Sequence, residues 1–269
     1  MNPAGMTWGP EGRLWVIDPG NSRASIFDLD GTPAGEKRLE AGFELAPWPG
    51  RFDRSGRLYH YATDPRLEEF EYVMVAYDAS MHPLDTIIPP APPERPQYFE
   101  TRTDRWGTVR AAVPFAPKTV WRLASDGEIW WAWTSRYEIF RGPDARHPII
   151  ARAMAPVPVT DDQRASALDG LKRFRAMGGR VDESRIPRTR SALQGFFLDD
   201  DDRIWTLLTT DGTNRLLEVF TPDGTFLSRF QLPVHLLSSP QPVVRGNVLY
   251  GLVLGDFDEP YVVGLLVPL

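Results

Sequence analysis

The sequence predicts an all-β protein of the β-propeller class, with five recognisable blades and one helical insertion near residues 160–178. Three observations lead to this prediction. A short turn-and-strand phrase recurs five times along the 269 residues. The shorter intervals between its copies match the length of a four-stranded blade, and the strands that it contains are apolar on both faces.

The recurring phrase is a turn containing Gly or Asp, then a polar, an aliphatic and an aromatic residue. Its copies are residues 11–15, 55–59, 126–130, 201–205 and 246–250. Turn residues of this kind supply the positive φ angle that tight hairpins need. A second phrase, an aliphatic or small residue and then an aromatic residue before another turn, follows the first four copies, at 26–31, 76–78, 139–142 and 219–224.

Spacing of the aromatic residues gives the number of blades. The first and last intervals between them, 44 and 45 residues, fit a blade of about 40–45 residues. The two middle intervals contain insertions at 89–117 and 156–187, and an elaborated loop is favoured over a sixth blade starting at Trp106. We therefore expect one propeller domain over residues 1–269, with blades at about 6–43, 48–90, 115–156, 188–233 and 240–269.

The second insertion carries the signals of a helix. Thr160 is the predicted N-cap, and Gly178 lies just past the predicted end. An apolar stripe is formed by residues three positions apart: Leu168, Leu171, Phe174 and Met177.

Composition limits the classes of partner and cofactor. A net charge of −6 disfavours nucleic-acid binding, although the helical insertion is locally basic and leaves an RNA-binding alternative open. The absence of cysteine excludes disulfides and thiolate-bound metals. No apolar run approaches the roughly 18 residues of a membrane span, and residues 1–6 lack signal-peptide character. We expect a chain that is soluble as written, in a compartment that the sequence does not define.

A family resemblance is carried by residues 14–31, LWVIDPGNSRASIFDLDG, which resemble an NHL-type repeat. Together with residues 113–132, the PVPVT segment before the helix, and residues 195–227, they resemble bacterial six-bladed propellers of the NHL/TolB-like superfamily. That resemblance implies a fold with little assigned chemistry, in proteins that are often exported or lipid-anchored. Such proteins usually have about one more blade before the first phrase, so we expect a missing N-terminal blade rather than a five-bladed ring.

Candidate ligand-contacting residues lie in two places. Asp18, Asn21 and Arg23 occupy the first NHL-like turn, and Arg173 and Arg175 belong to the helical insertion, which is a candidate docking surface or lid. The structural alternatives are an Arg23–Asp18 pair with Asn21 in a left-handed turn position, and an ordinary solvated helix face. Both structural alternatives are favoured.

Three other groups of residues are better explained by structure than by function. The carboxylates of residues 199–202 fit a solvated turn better than a calcium site, because consecutive side chains point in different directions. His60, His82, His147 and His235 lack the spacing of a metal motif. An aromatic cluster fits blade-to-blade packing better than sugar stacking; its members are Trp130, Trp131, Trp133 and Tyr137.

The sequence leaves open whether the protein is an enzyme. The leading hypothesis is a binding scaffold for a protein, peptide or small-molecule ligand at one mouth of the propeller channel. The alternative is a divalent-metal-dependent hydrolase or lactonase, resembling gluconolactonase-type propellers. The oxygen donors that such a site could draw upon are Asp18, Asp64, Glu138 and Asn214.

Overall fold

The computed structural model describes residues 5–38, 51–63, 72–88, 90–91, 93–94, 97–105, 107–143, 146–211, 215–237 and 241–268. Within these ranges the protein is an all-β propeller with five blades, as the repeat predicts. The chain packs as two compact units. Unit 1 comprises Met1–Pro90, Leu123–Ile129 and Gly142–Asp144, and unit 2 comprises Ala91–Arg122, Trp130–Arg141 and Ala145–Leu269.

Unit 1 contains two antiparallel four-stranded blades. Blade 1 consists of β1 (Gly5–Trp8), β2 (Leu14–Asp18), β3 (Arg23–Phe27) and β4 (Pro33–Arg38). Blade 2 consists of β5 (Arg51–Phe52), β6 (Leu58–Thr63), β7 (Tyr72–Tyr77) and β8 (Pro83–Ile87). Their facing side chains form one apolar core, in which Trp15 meets Phe52 edge to face with ring centroids 5.0 Å apart.

The next elements along the chain are a two-stranded ribbon, blade 3 and the helical insertion. The ribbon pairs β9 (Tyr98–Thr103) with β10 (Gly107–Ala112). Blade 3 consists of β11 (Thr119–Leu123), β12 (Ile129–Trp133), β13 (Tyr137–Arg141) and β14 (Ile150–Arg152). The insertion contains β15 (Val157–Pro158), α1 (Asp161–Gly170), α2 (Lys172–Ala176) and β16 (Thr189–Arg190).

Blades 4 and 5 complete unit 2. Blade 4 consists of β17 (Leu193–Leu198), β18 (Ile204–Leu208), β19 (Arg215–Phe220) and β20 (Phe226–Leu232). Blade 5 has three strands in the described part of the chain: β21 (Val243–Arg245), β22 (Val248–Leu254) and β23 (Pro260–Leu266). Every residue of β12 and of β18 is buried, which explains why these segments are apolar on both faces.

The repeated phrase folds as the same turn in blades 2, 3 and 4, where the left-handed residue donates its N–H to the carbonyl oxygen three positions earlier. That residue is Gly56, Gly127 or Asp202, with φ of 82°, 88° and 57°. Blade 1 has two left-handed residues, Glu11 and Gly12, and blade 5 has a shorter hairpin turn with Gly246 at φ of 55°. Glycine reaches this region without a steric penalty, and aspartate is among the few other residues that tolerate it. The degenerate Asp-Asp copy in blade 4 is therefore a true member of the repeat.

A carboxylate organises this turn in blade 4. Asp199 accepts hydrogen bonds from the backbone N–H groups of Asp201 and Arg203, at 3.0 and 2.9 Å, and from Nε1 of Trp205 at 2.9 Å. Asp199 and Asp202 are 3% and 8% exposed, so the expectation of a fully solvated turn is wrong for these two residues. Asp199 can be buried because these protein donors replace the water molecules that would otherwise bind its carboxylate.

Blade 2 repeats this arrangement, and blade 3 shows what its loss does. Asp53 accepts from the backbone N–H groups of Ser55 and Arg57 and from the hydroxyl of Tyr59. In blade 3 the equivalent position, six residues before the aromatic residue, is Ala124. There the buried Nε1 of Trp130 has no hydrogen-bond partner among the described residues.

The helical insertion confirms the predicted cap and stripe but is divided in two. Thr160 and Gln163 form a reciprocal capping box at the start of α1, and Gly178 follows α2 with φ of 85°. A break at Leu171 separates the two helices. Leu171 and Phe174 form one core with Phe99 of the ribbon, and Leu168 packs against it, so the two insertions share a core. Met177, the fourth predicted member of the stripe, is half-buried and does not belong to that core in the described residues. Neither helix of the described chain is long and apolar enough to cross a membrane.

We predict that Asp199→Ala lowers the free energy of unfolding by about 2–4 kcal/mol, because it leaves the buried indole N–H of Trp205 without an acceptor and removes the acceptor of Nε of Arg203. The matched control is Asp200→Ala, which removes only an exposed ion pair with Arg245 and should cost about 1 kcal/mol or less. Urea unfolding of both variants measures the difference. Equal losses in the two variants would show that the buried carboxylate has no special role.

Candidate functional site

One end of blade 4 combines a hydrogen-bonded backbone frame with several polar side chains. We call it the connection end, because the start of β17, the end of β18, the start of β19 and the end of β20 lie there, and the chain leaves it for the neighbouring blades. The N–H of Leu193 donates to the carbonyl oxygen of Thr134, at 3.1 Å. Oγ1 of Thr134 accepts from the N–H of Lys118 and contacts Oγ of Ser191.

Arg215, the first residue of β19, is the unusual side chain at the connection end. It is 6% exposed, and its Nη2 lies 3.0 Å from Nε2 of His235. Because a guanidinium only donates, Nε2 of His235 must be the acceptor, which requires the neutral imidazole with its proton on Nδ1. The Nε and Nη1 atoms of Arg215 are buried and have no hydrogen-bond partner among the described residues.

The charge of Arg215 is also uncompensated in the described part of the chain. Burial lowers the pKa of Arg215 from its ordinary value, yet an arginine side chain stays protonated in proteins. None of the described carboxylates forms an ion pair with it. Buried polar groups nearly always have partners, and a buried charge without one destabilises the folded state.

A second arginine approaches the same hairpin loop. Arg190, at the end of β16, donates from Nη2 to the carbonyl oxygen of Thr210, in the loop that joins β18 to β19. Its Nε is buried and, within the described ranges, has no hydrogen-bond partner. Two guanidinium groups are therefore attached to the two ends of one loop, and each retains unused donor capacity.

The buried polar residues between blades 3 and 4 show the opposite condition. Glu218, in the middle of β19, is fully buried and accepts from the hydroxyl of Tyr137 at 2.6 Å and from Nε of Arg229 at 2.9 Å. Nη2 of Arg229 also bonds Glu218, and Nη1 of Arg152 lies 3.6 Å away. Burial and the hydrogen bond to Glu218 raise the pKa of Tyr137. The carboxylate of Glu218 therefore has hydrogen-bond partners within the protein, which is expected of a network that stabilises the fold.

The residues singled out in the first NHL-like turn do lie together. Nδ2 of Asn21 donates to Oδ2 of Asp18 at 2.7 Å, and Nε of Arg23 lies 3.9 Å from the same oxygen. The expected left-handed position is wrong by one residue, because Ser22 has the positive φ of 50° while Asn21 ends a short 3-10 turn. Asp18 is 1% exposed. A ligand-binding role for this trio stays a prediction.

The candidate arginines of the insertion lie on the exposed surface of α2. Nη2 of Arg175 is 3.2 Å from Oε1 of Glu183, and Nη2 of Arg164 is 3.7 Å from Oε2 of the same residue. Arg173 is exposed in the last turn of α2. Their role as a docking surface or lid also stays a prediction.

The remaining candidates are dispersed. Asp64 and Asn214 lie outside the described residues, and Glu138 is 3.8 Å from Nη1 of Arg136. His60 is buried, His82 approaches Asp78, and His147 is exposed. Among the described side chains no group of three or more His, Asp or Glu residues could hold a metal ion. The aromatic cluster is buried, with Trp131 stacked on Phe140 at 4.2 Å.

Sequence reasoning missed Arg215, Arg229 and Glu218 as members of polar sites. The available signal was the strand sequence RLLEVF, where two charged residues interrupt an apolar segment. A charged residue inside a strand that is covered on both faces requires a partner or a ligand. The sequence gives no indication of which of these two outcomes applies to each residue.

Comparison with known proteins gives similarity in fold alone. No protein-family model and no curated protein matches the sequence. Virginiamycin B lyase from Staphylococcus aureus is 14% identical over 99% of this chain and 85% of its own, with a TM-score of 0.41. A gluconolactonase from Xanthomonas campestris is 15% identical over 92% of this chain and 81% of its own, with a TM-score of 0.32. Regucalcin from Agrobacterium tumefaciens is 14% identical over 92% of this chain and 66% of its own, with a TM-score of 0.37.

The buried histidine of β6 generates a prediction about acid stability. His60 is 1% exposed, and burial lowers its pKa from 6.5 to about 4. Below about pH 6.5 the unfolded chain takes up a proton that the folded protein does not accept until about pH 4, so folding stability falls through that window. We expect a loss of roughly 3 kcal/mol from this group.

Urea unfolding across this pH range, with wild type and His60→Gln, measures that loss. The variant should lack the part of the acid destabilisation that belongs to residue 60. His147→Gln is the control, because His147 is exposed and its replacement should leave the difference between wild type and His60→Gln unchanged. Identical profiles for wild type and His60→Gln would disprove the role of His60.

Proposed function

We propose that this protein is a binding propeller whose ligand, a small molecule, a peptide or a protein segment, contacts the connection end of blade 4. The single observation that carries the proposal is the state of Arg215, which is buried and charged with two unused donor atoms. Folded proteins keep such a costly group mainly where function requires it. Arg215 can bind and orient a ligand, and it cannot serve as a general base, because it stays protonated.

The same proposal includes two finer assignments. We propose that the chain, which has five blades in the described residues, is related to bacterial six-bladed propellers of the NHL/TolB-like type. The turn in which Asn21 and Arg23 surround the buried Asp18 supports this relationship. We also include Asp18, Asn21, Arg23, Arg173 and Arg175 as further ligand- or partner-contacting residues. Their support is chemical: each group offers exposed or clustered polar atoms in a turn or on a helix surface.

Ligand-induced stabilisation, followed by hydrogen exchange, tests the proposal. The probes are inorganic phosphate, citrate, a triglutamate peptide, a neutral monosaccharide, calcium and zinc. A ligand that binds only the folded state raises the free energy of unfolding by about 2.7 kcal/mol at a concentration about 100 times its Kd. We expect at least one non-metal probe to stabilise the protein and to protect amides in residues 188–194, 209–211, 215–216 and 232–237.

Two results count against this assignment. Stabilisation by calcium or zinc, with protection confined to other segments, would favour the metal-dependent hydrolase. The absence of stabilisation by every probe would remove the reason for placing a ligand at the connection end. Asp200→Ala serves as the matched control, because its exposed ion pair lies on the turn at the opposite end of β17 and β18.

A further inference from the structure

Resting on the proposed binding function, we infer that the group recognised at the connection end is an oxyanion, a carboxylate or a phosphate, and that Arg215 binds it directly. The inference defines the ligand by the charge and shape of the atoms that would satisfy Arg215. Three features of the site support it: an uncompensated charge, a free pair of parallel donors, and a side chain that is already held in place.

Blade 4 contains a second arginine, Arg229, with which the charge of Arg215 can be compared. Arg229 and Arg215 lie on adjacent strands, β20 and β19, of the same sheet. Arg229 has a side chain that is 55% exposed and nevertheless bonds the buried carboxylate of Glu218 through two nitrogens. Arg215 is far more buried, and no described carboxylate pairs with it. An anionic ligand would supply the counter-charge that Glu218 supplies to Arg229.

The planar shape of a guanidinium determines which N–H groups of Arg215 stay free for a ligand. Two edges present parallel N–H pairs, one formed by Nε and Nη2 and the other by Nη1 and Nη2. Nη2 belongs to both edges and contributes a different hydrogen to each. His235 accepts one of those hydrogens, so one complete edge stays free whichever hydrogen it accepts. Two parallel N–H groups match two oxygens of a carboxylate or phosphate, and a neutral hydroxyl would satisfy only one of them.

The side chain is also positioned before any ligand binds. The backbone of Arg215 is paired with Leu232 in the β19–β20 ladder, and its guanidinium is held by His235. Arg190 is bonded to the carbonyl oxygen of Thr210 in the preceding loop, which brings a second positive charge to the same hairpin. A pre-ordered donor group loses little conformational entropy on binding, which favours affinity. Because Nε and Nη1 of Arg215 are buried, the anion reaches them only when the surrounding side chains make room.

The test measures binding of inorganic phosphate and of citrate by calorimetry, to wild type, Arg215→Met and Arg229→Met. We expect wild type to bind at least one of the two anions, which tells phosphate from carboxylate recognition. Arg215→Met should weaken that binding by about tenfold or more, as removal of a charge-assisted pair requires. Arg229→Met should bind as wild type does, because Arg229 is engaged with Glu218.

Thermal melting of the same variants without anion gives an independent readout. Arg215→Met should melt at the wild-type temperature or above it, because it removes a buried charge that has no partner. Arg229→Met should melt lower, because it deprives the buried Glu218 of its main partner. A lower melting temperature for Arg215→Met than for Arg229→Met would overturn the inference, since it would make Arg215 a structural residue.

A conservative variant keeps the test decisive if methionine prevents folding at position 215. Arg215→Lys retains the charge and removes the parallel donor pair, so it should keep the fold and lose most of the anion affinity. Anion binding of equal strength in wild type and Arg215→Lys would contradict recognition by the guanidinium edge.

The outcomes also separate this inference from the binding function on which it rests. If a neutral probe protects residues 209–211 and 215–216 while phosphate and citrate do not bind, the oxyanion assignment is wrong and the binding function stands. If bound anions protect only segments away from the connection end, both fail. Binding of phosphate or citrate that is unaffected by Arg215→Met would show adventitious surface binding only, and would also overturn the inference.

Discussion

The structure depends on one constraint: both faces of the inner strands are covered by neighbouring sheets. A polar group on such a strand destabilises the fold unless it finds a partner within the protein or in a ligand. Apolar residues meet the constraint by packing, as in the core between blades 4 and 5, where Trp205 stacks on Phe197 and Phe230. Glu218 meets it through Tyr137 and Arg229. A buried acceptor surrounded by donors holds neighbouring strands in one register, because a shift would leave it unpaired.

The repeated turn meets the same constraint locally. An aspartate accepts from the backbone two and four residues later and from the polar edge of the following aromatic residue, both at Asp53 and at Asp199. The same carboxylate contacts therefore accompany a turn with Gly56 at the left-handed position and a turn with Asp202 there. It also gives meaning to Ala124, where the carboxylate is missing and the indole N–H of Trp130 is left buried without a described partner.

The sequence predicted the class of fold because blade architecture is encoded locally, in turn residues and in strands that are apolar on both faces. It also predicted the capped helix and its stripe, as the packing of Leu168 and Phe174 shows. The candidate site was harder to predict from the sequence. Tyr137, one partner of Glu218, lies 81 residues away in the sequence. Two charged residues in one strand also look alike until their surroundings are known. At Asp199 the sequence predicted an exposed carboxylate, because a run of carboxylates is usually solvated, whereas this side chain is buried.

Arg215 is the buried cation for which we propose an oxyanion as the missing partner. The most direct measurement is the side-chain Nε–H resonance of Arg215 in ¹⁵N-labelled protein, assigned with Arg215→Lys, during titration with phosphate and with citrate. The account predicts that this resonance moves with saturation while that of Arg229 stays fixed. An Arg215 resonance that is unaffected by both anions, while the protein remains folded, would contradict it.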